Sequence, residues 1–402
     1  MDAFTIVLAI TAIAGLYMAW NIGANDVANA MGTSVGSGAL SLRQAIIVAA
    51  IFELLGALTL GRNVSETIRS GIVEIASLEQ SALVIAAGMA CCLIAAALWL
   101  QFVTSAGWPV STTHAIVGAV AGFGLWAGGV DAVSWGTLGQ ITLGWLASPI
   151  LGALFGFGFF VWIRRRVLST SDPERTARRH GPWMTAFVLG IAASAIVYNP
   201  ALADALPLAP HAIVVLAACA GWITAFILLR SRLATADLER LFGNLQLLTA
   251  CFVAFAHGSN DVANAVGPMA AVFGAVQGSL VETHMVPTNL LVIGAFGIVL
   301  GLSTYGFKVM ATIGREITEL TPSRGFAAEL AGATVIVTAS NLGLPVSTTH
   351  TIVGAVVGVG MARSFGALNL SILRRIVVSW VVTVPVCALL AAVLVQIVSW
   401  LL

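Results

Sequence analysis

Long apolar segments separated by short polar ones run along almost the whole chain, and this pattern predicts helices that cross a membrane. An α-helix needs about 20 mostly apolar residues to cross the hydrocarbon core of a bilayer. On that criterion the sequence predicts an all-α polytopic membrane protein with twelve transmembrane helices. The approximate bounds of the spans are 4–22, 44–61, 81–101, 110–127, 137–163, 183–199, 211–229, 243–264, 287–306, 326–342, 346–362 and 376–400.

The composition excludes a soluble enzyme of this length. Hydrophobic residues make up 59% of the chain and charged residues 9%, whereas soluble domains average about 45–50% and about 25%. The formal net charge of +1 offers no basic surface for nucleic acid. Five cysteines are unevenly spaced inside apolar stretches, which predicts packing roles rather than disulfides or a metal site. These cysteines are Cys91, Cys92, Cys219, Cys251 and Cys387.

The basic residues indicate the direction of the spans, because short cytoplasmic loops are enriched in Lys and Arg. With the N-terminus outside, 16 of the 18 basic residues fall on the cytoplasmic side, and only Arg62 and Arg69 fall outside. The cytoplasmic set includes six arginines in the predicted loop 164–180 and three in the stretch 230–240. We therefore expect a multi-pass protein of the cell (inner or plasma) membrane with both termini outside.

The sequence contains an internal repeat of two motifs. Gly23-Ala-Asn25-Asp26-Val-Ala-Asn29-Ala recurs as Gly258-Ser-Asn260-Asp261-Val-Ala-Asn264-Ala, and Pro109-Val-Ser111-Thr112-Thr113-His114 recurs as Pro345-Val-Ser347-Thr348-Thr349-His350. The motifs lie 82 residues apart in the first copy (Asn29 to Ser111) and 83 in the second (Asn264 to Ser347).

Each copy of the repeat contains five predicted spans, and the first copy begins outside while the second begins inside. Inverted repeats of this kind are a transporter architecture with the site between the repeats, near the bilayer midplane. We divide the chain into a first transmembrane repeat (1–163), a middle region (164–240) and a second, inverted repeat (241–402). The middle region comprises a cytoplasmic loop, two linking helices and a second cytoplasmic stretch.

The first motif is a candidate coupling-cation site. Asn25 and Asn29 lie four apart and therefore share a helical face with Asp26 beside them, and the second copy repeats this arrangement with Asn260, Asn264 and Asp261. Carboxylate and amide oxygens are hard ligands for a small cation, and an aspartate within a span costs about 2.5–3.5 kcal/mol on insertion scales. If the protein uses Na⁺, we expect the ion at the two aspartates. The structural alternative is a polar clamp between helices.

The second motif reads as the start of a helix and a candidate anion site. Proline is tolerated in the first helical turn, and Ser and Thr satisfy free backbone N–H groups there. Broken or re-entrant backbone at membrane depth is tolerated where it lines a cavity, and helix N-termini bind anions. The alternative is ordinary N-capping. His114 and His350 would contact the anion or relay protons, or would be structural. His257, which has Ile22 in its place in the first copy, is interpreted as a structural or tuning residue.

The pairing of the two motifs favours symport. The predicted spans hold no Arg or Lys to neutralise an anion, and Asp26 and Asp261 would repel one strongly in a low dielectric. An anion can bind there only together with cations or protons, and each ligand then raises the affinity for the other by the same factor. Two further acids in the spans, Glu53 and Glu329, are candidates for cation ligation or proton handling; paired structural carboxylates are the alternative.

These residues resemble those of the inorganic phosphate transporter (PiT) family, in its bacterial form with a short central loop. The resemblance covers essentially the whole chain and includes a third stretch, Gly306-Phe-Lys308-Val-Met-Ala-Thr312-Ile-Gly314 with Thr321-Pro-Ser323-Arg-Gly325.

The resemblance implies symport of inorganic phosphate with Na⁺ or H⁺ and no enzymatic cofactor, and it suggests a homodimer. It also implies that Asn25 and Asn260 join the Ser-Thr-Thr triplets in binding phosphate. Alternative functions are a sulfate or metal-phosphate permease, a passive anion channel, and a membrane-embedded enzyme. The sequence lacks the HExxH, GxSxG and nucleotide-binding motifs of common enzymes.

Overall fold

The computed structural model describes residues 2–75, 78, 80–199, 208–231, 237–277, 286–306, 317–364, 366 and 368–401. Within these residues the fold is built from α-helices, with one isolated β-bridge and no strand. The helices are α1 (Ala3–Gly36), α2 (Leu42–Glu66), α3 (Ala82–Ser105), α4 (Thr112–Gly128), α5 (Trp135–Ile163), α6 (Pro173–Val197), α7 (Pro210–Ser231), α8 (Leu238–Asp261), α9 (Ala263–Val276), α10 (Thr288–Thr304), α11 (Pro322–Asn341), α12 (Thr348–Arg363) and α13 (Leu370–Ser399). Outside the described residues lie Arg232, Lys308 and Arg315 of the charge argument and Thr312 and Gly314 of the third family-like stretch.

Each of the twelve predicted spans overlaps a helix, but the helices differ in length. Eight helical stretches of the described chain are long and apolar enough to cross a membrane, with α8 and α9 together forming one of them. The chain is therefore a multi-pass membrane protein. Helices α4, α10 and α12 have only 17, 17 and 16 residues, which is short of the length that crosses the hydrocarbon core.

Two sequence predictions about helix bounds are wrong. The loop expected over 164–180 contains a π-helical turn at Arg164–Leu168, and α6 begins at Pro173. The cause is a strong N-terminal signal, because the Asp172 carboxylate accepts a hydrogen bond from the backbone N–H of Arg175 at 3.0 Å and proline occupies the first turn. Helix α9 was not predicted at all, although α1 contains the equivalent continuation beyond its own Asn-Asp motif.

Glycines allow the helices of the two repeats to pack closely in matching pairs. Helix α1 packs on α10 and α8 on α2, while α4 packs on α13 and α12 on α5. A Cβ atom at Gly301 of α10 would overlap the carbonyl oxygen of Trp20, and one at Gly258 of α8 would overlap that of Glu53. Small residues at such crossings bring backbones together and drive packing between membrane helices. A Cβ atom at Gly122 of α4 would likewise overlap the carbonyl oxygen of Ala388 of α13.

The packing buries the second half of α1 and the end of α8 in the centre of the molecule. Every residue from Asn21 to Ser34 is buried, as is every residue from Phe252 to Asp261. Polar side chains inside these helices bond to other helices, as Asn25 does to Thr104 of α3 and Asn29 to Thr349 of α12, so α1 continues well beyond the end of its apolar stretch. All five cysteines are free; Cys91, Cys92 and Cys387 are buried, whereas Cys219 is exposed.

Candidate functional site

The two Pro-Val-Ser-Thr-Thr-His motifs start helices, as predicted. Ser111 and Ser347 cap α4 and α12, and each hydroxyl accepts a hydrogen bond at 3.1 Å from the backbone N–H of the histidine three residues later. The two helix starts touch each other. The hydroxyl of Thr113 donates to the carbonyl of Val346 at 3.1 Å, and that of Thr349 donates to the carbonyl of Val110 at 3.0 Å.

Asp26 is completely buried and takes its donors from both repeats. Its Oδ2 accepts a hydrogen bond from the hydroxyl of Thr112 at 2.7 Å. Its Oδ1 accepts from the amide of Asn29 at 2.8 Å, and the Thr349 hydroxyl of the opposite repeat, 3.3 Å away, can donate to it as an alternative to the Val110 carbonyl. The carboxylate therefore lies between the first turns of α4 and α12.

Asp261 occupies the equivalent place in the second repeat with fewer donors. Its Oδ2 accepts a hydrogen bond from the hydroxyl of Thr348 at 2.6 Å, while Oδ1 is buried without a hydrogen-bond donor among the described residues. Asn264 donates to the hydroxyls of Thr112 and Thr113 at 3.1 and 3.2 Å, just as Asn29 donates to that of Thr349 at 2.8 Å. Each asparagine thus reaches across to the helix start of the opposite repeat.

The oxygen atoms of these asparagines are equally informative. The Oδ1 atoms of Asn29 and Asn264 are buried, and neither has a hydrogen-bond donor within the described part of the chain. A buried acceptor without a partner costs about 1–3 kcal/mol. Together with Asp261 Oδ1, three unpartnered acceptor oxygens surround the paired aspartates. Such oxygens are the ligands that a hard cation requires.

Asn25 and Asn260 hold the segments that lead into the helix starts. The amide of Asn25 donates to the carbonyl of Trp108 at 3.2 Å and to the hydroxyl of Thr104, and its oxygen accepts from the N–H of Val110. The amide of Asn260 donates to the carbonyl of Leu344 at 3.1 Å. These contacts position the loops that precede α4 and α12.

His257 is the residue whose importance the sequence argument missed. Its Nδ1 lies 3.1 Å from an oxygen of Glu53, and its Nε2 lies 2.9 Å from Asp261 Oδ2 and 4.0 Å from Asp26 Oδ2. A neutral imidazole has only one N–H, so it would direct a lone pair at one of the carboxylates. The geometry therefore favours the doubly protonated ring, a fixed cation among three buried acids.

Ligand atoms of Asp26, His257 and Asp261 lie within 4.8 Å of one another, so the two carboxylates can share one ion, while a doubly protonated His257 has no lone pair to bind it. The signal for His257 was its place four residues before Asp261 on the same helical face.

Glu329 lies apart from this cluster and is fully satisfied. It accepts hydrogen bonds from the hydroxyls of Thr33, Ser34 and Thr249 and from the amide of Gln246. Its four donors come from α1 and α8, so the carboxylate joins three helices. This geometry fits the structural alternative better than cation ligation. Glu53, in contrast, touches the cluster through His257.

His114 and His350 stack against aromatic rings. The ring centroids of the two imidazoles are 4.4 Å apart. The ring centroid of Trp145 lies 3.8 Å from that of His114, and the ring centroid of Trp380 lies 3.6 Å from that of His350. The Nδ1 of His114 lies 3.3 Å from the carbonyl of Trp380. The rings therefore join α4 and α12 to α5 and α13, and their recorded contacts do not include the aspartates.

Comparisons with known proteins agree on one family. The profile of the phosphate transporter family matches residues 22–391. The chain is 44% identical to the chloroplastic inorganic phosphate transporter 2-1 of Arabidopsis thaliana, with 95% of this chain and 70% of that protein covered. It is 42% identical to a protein named as a phosphate permease in Pyrococcus abyssi, with 97% of each covered. A solved structure titled the sodium-dependent phosphate transporter superposes with a TM-score of 0.93 and 39% identity, covering 99% of this chain and 100% of that one.

Proposed function

We propose that this chain is a secondary active symporter that moves inorganic phosphate into the cell with Na⁺. The chain belongs to the phosphate transporter family, and it therefore transports phosphate rather than catalysing a reaction. The unpartnered acceptor oxygens around Asp26 and Asp261 carry this proposal. Na⁺ is favoured over H⁺ because the similar solved structure is titled as sodium-dependent.

The proposed cation sites are the oxygen atoms of the paired motifs. Asp26 with Asn29, and Asp261 with Asn264, each offer a buried carboxylate and a buried amide oxygen. With His257 protonated, the three acids Asp26, Asp261 and Glu53 leave a formal charge of −2. Two monovalent cations would neutralise that charge, whereas an anion arriving alone would be repelled.

The proposed phosphate site lies at the facing starts of α4 and α12. Its donors would be the hydroxyls of the two Ser-Thr-Thr triplets and the backbone N–H groups of the first turns, with their positive dipole ends. In the structure Thr112 and Thr348 donate to the aspartates instead. A hydroxyl has one proton, so it cannot donate to a carboxylate and to phosphate at the same time.

This competition supplies a mechanism for coupling. When a cation occupies the carboxylate, the hydroxyls of Thr112 and Thr348 can turn their protons to phosphate and offer their lone pairs to the cation. Phosphate would then bind tightly only after the cations, and by linkage the cations would be held more tightly by phosphate. The proposal assigns Asn25 and Asn260 to holding the phosphate-site loops.

The register of helix contacts supports the inverted repeat. On α10, Gly297 meets Ala19 and Gly301 meets Trp20 and Ala24 of α1, so α1 and α10 run in the same direction. On α2, Gly56 meets Phe255 and Gly61 meets Val262, so α2 runs with α8 and the segment that follows it. A short loop joins α1 to α2, which indicates antiparallel neighbours. Hence α8 would run opposite to α1, as the inverted repeat requires.

Two unequal cavities support alternating access. One cavity, of about 330 Å³, is lined by Leu344 of the loop before α12 and by Gln140 of α5. The other cavity, of about 20 Å³, is lined by Trp108 of the loop before α4 and by Arg375 of α13. The loops belong to opposite repeats, so the cavities would be entrances from opposite faces of the membrane, one of them nearly closed.

Uptake of radiolabelled phosphate into liposomes tests the proposal. Na⁺ and proton gradients are imposed separately, with excess unlabelled sulfate and with a divalent-metal chelator as further arms. We expect uptake with the Na⁺ gradient that neither addition reduces. Uptake driven only by protons would refute Na⁺ coupling, and gradient-independent uptake would indicate a channel. Competition by sulfate or loss of uptake with the chelator would indicate a sulfate or metal-phosphate permease.

A further inference from the structure

An apolar groove of about 340 Å³ opens between α5, α6 and α11, away from the candidate transport site. Its walls are Phe159 and Trp162 of α5 and Trp183 and Phe187 of α6, and its floor includes Phe326 of α11. We call it the aromatic groove. The floor is buried, whereas Trp162, Trp183 and Phe187 are 42%, 63% and 50% exposed. The groove therefore opens on the outer surface of the helix bundle.

The end of the aromatic groove is strongly basic. Residues 164–180 contain six arginines and only two acids. Arg166 follows Trp162 by four residues, and Arg179 precedes Trp183 by four, so each lies about one turn from a groove wall. Both arginines are exposed. A ring contact of 5.8 Å between Trp162 and His180 holds the two helices together at this end.

Within the described residues, carboxylates do not form ion pairs with the six arginines that carry this positive charge. One of the two acids, Asp172, is used as the cap of α6. Scattered aromatic residues at a membrane surface are ordinary. A concave groove that leads directly into unpaired arginines is more specific, because it pairs an apolar slot with a cationic end.

We propose that the aromatic groove binds an anionic phospholipid. One acyl chain lies along the groove, and the headgroup phosphate lies between Arg166 and Arg179. The chemistry matches at both ends, since the apolar and aromatic lining of the groove suits an acyl chain and basic residues beside a membrane segment attract anionic headgroups. Guanidinium groups also bind phosphate oxygens in a bidentate geometry.

The test uses lipid-borne bromine, which quenches tryptophan fluorescence at contact. The purified protein is placed in phosphatidylcholine nanodiscs that contain equal fractions of brominated phosphatidylglycerol or brominated phosphatidylcholine. We expect stronger quenching by the anionic lipid. The excess quenching by the anionic lipid should fall in the Trp183→Phe variant and persist in the Trp135→Phe variant. Trp135 is a matched control, because its side chain is 52% exposed and lies at the far end of α5.

A second comparison separates charge from apolar contact. The double variant Arg166→Gln/Arg179→Gln changes two exposed side chains and should lose the excess quenching by phosphatidylglycerol while keeping the quenching by phosphatidylcholine. Equal quenching by the two lipids in the wild type, or an excess that survives the double variant, would overturn the proposal. So would protection of Trp183 from both lipids, because a second copy of the chain would then cover the groove.

Discussion

Replacing Thr348 by valine should separate phosphate binding from cation binding. The substitution keeps the shape of the side chain and removes the hydroxyl that donates to Asp261 at 2.6 Å. In the proposed mechanism this hydroxyl turns to phosphate once a cation occupies the carboxylate. A hydrogen bond to a charged group contributes about 1.5–3 kcal/mol. At 1.4 kcal/mol per tenfold, phosphate affinity at saturating Na⁺ should fall by about ten- to a hundredfold.

Cation affinity should respond differently to the same change. Without phosphate, Na⁺ no longer has to displace the Thr348 proton from Asp261 but loses the lone pair of that hydroxyl, so the Na⁺ affinity should change much less than the phosphate affinity. Calorimetry on purified protein measures both quantities, with phosphate titrated at saturating Na⁺ and Na⁺ titrated without phosphate. Thr351→Val is the matched control, because Thr351 is buried on the same helix and its hydroxyl bonds only the carbonyl of Ser347, at 2.8 Å. An equal loss of both affinities, or no loss of phosphate affinity, would refute the reasoning.

Three further outcomes are expected. Asp26→Asn and Asp261→Asn should each abolish Na⁺-driven phosphate uptake in liposomes while the protein still inserts; unchanged gradient dependence would remove that aspartate from the coupling site. A cysteine at Ser171 in a cysteine-free background should resist an impermeant thiol reagent in right-side-out cells, and ready labelling would contradict the cytoplasmic assignment. Gly301→Ala should lower the thermal unfolding temperature, because its methyl group would overlap the Trp20 carbonyl and overpacking costs about 1–3 kcal/mol; an unchanged temperature would show that α1 and α10 separate easily.

Local sequence signals predicted the helix starts and missed some helix bounds. Pro-Val-Ser-Thr-Thr carries its own capping chemistry, so Ser111 and Ser347 could be assigned without knowing the fold. Hydropathy, in contrast, ended the first span near Ile22, because it cannot recognise that the following Asn and Asp side chains have partners from other helices. The charged residues after Pro173 hid the start of α6, because hydropathy does not register the capping by Asp172.

The contacts across the site depend on tertiary structure. Comparison of the repeats directed attention to residues with a counterpart, and His257 has none, since Ile22 stands in its place. Its partner Glu53 lies on α2, about 200 positions earlier in the chain. No spacing rule connects them, because the contact exists only where α8 crosses α2 at Gly258. The same holds for Asn29, whose partner Thr349 belongs to the other repeat.

In the proposed mechanism, the asymmetric His257 would let an otherwise symmetric site hold a dianion without arginine or lysine. Among the described residues, no Arg or Lys side chain forms a hydrogen bond or ion pair with the aspartates. Each helix start contributes only about half a positive charge, so the two of them cannot offset the three buried acids Asp26, Asp261 and Glu53. In this mechanism a protonated His257 would offset one of those negative charges, and two cations would offset the remaining two. Once the charges of the three acids are neutralised, the positive ends of α4 and α12 would attract the phosphate anion. Phosphate should therefore follow the cations into the site, and a carrier with one cation should bind it weakly.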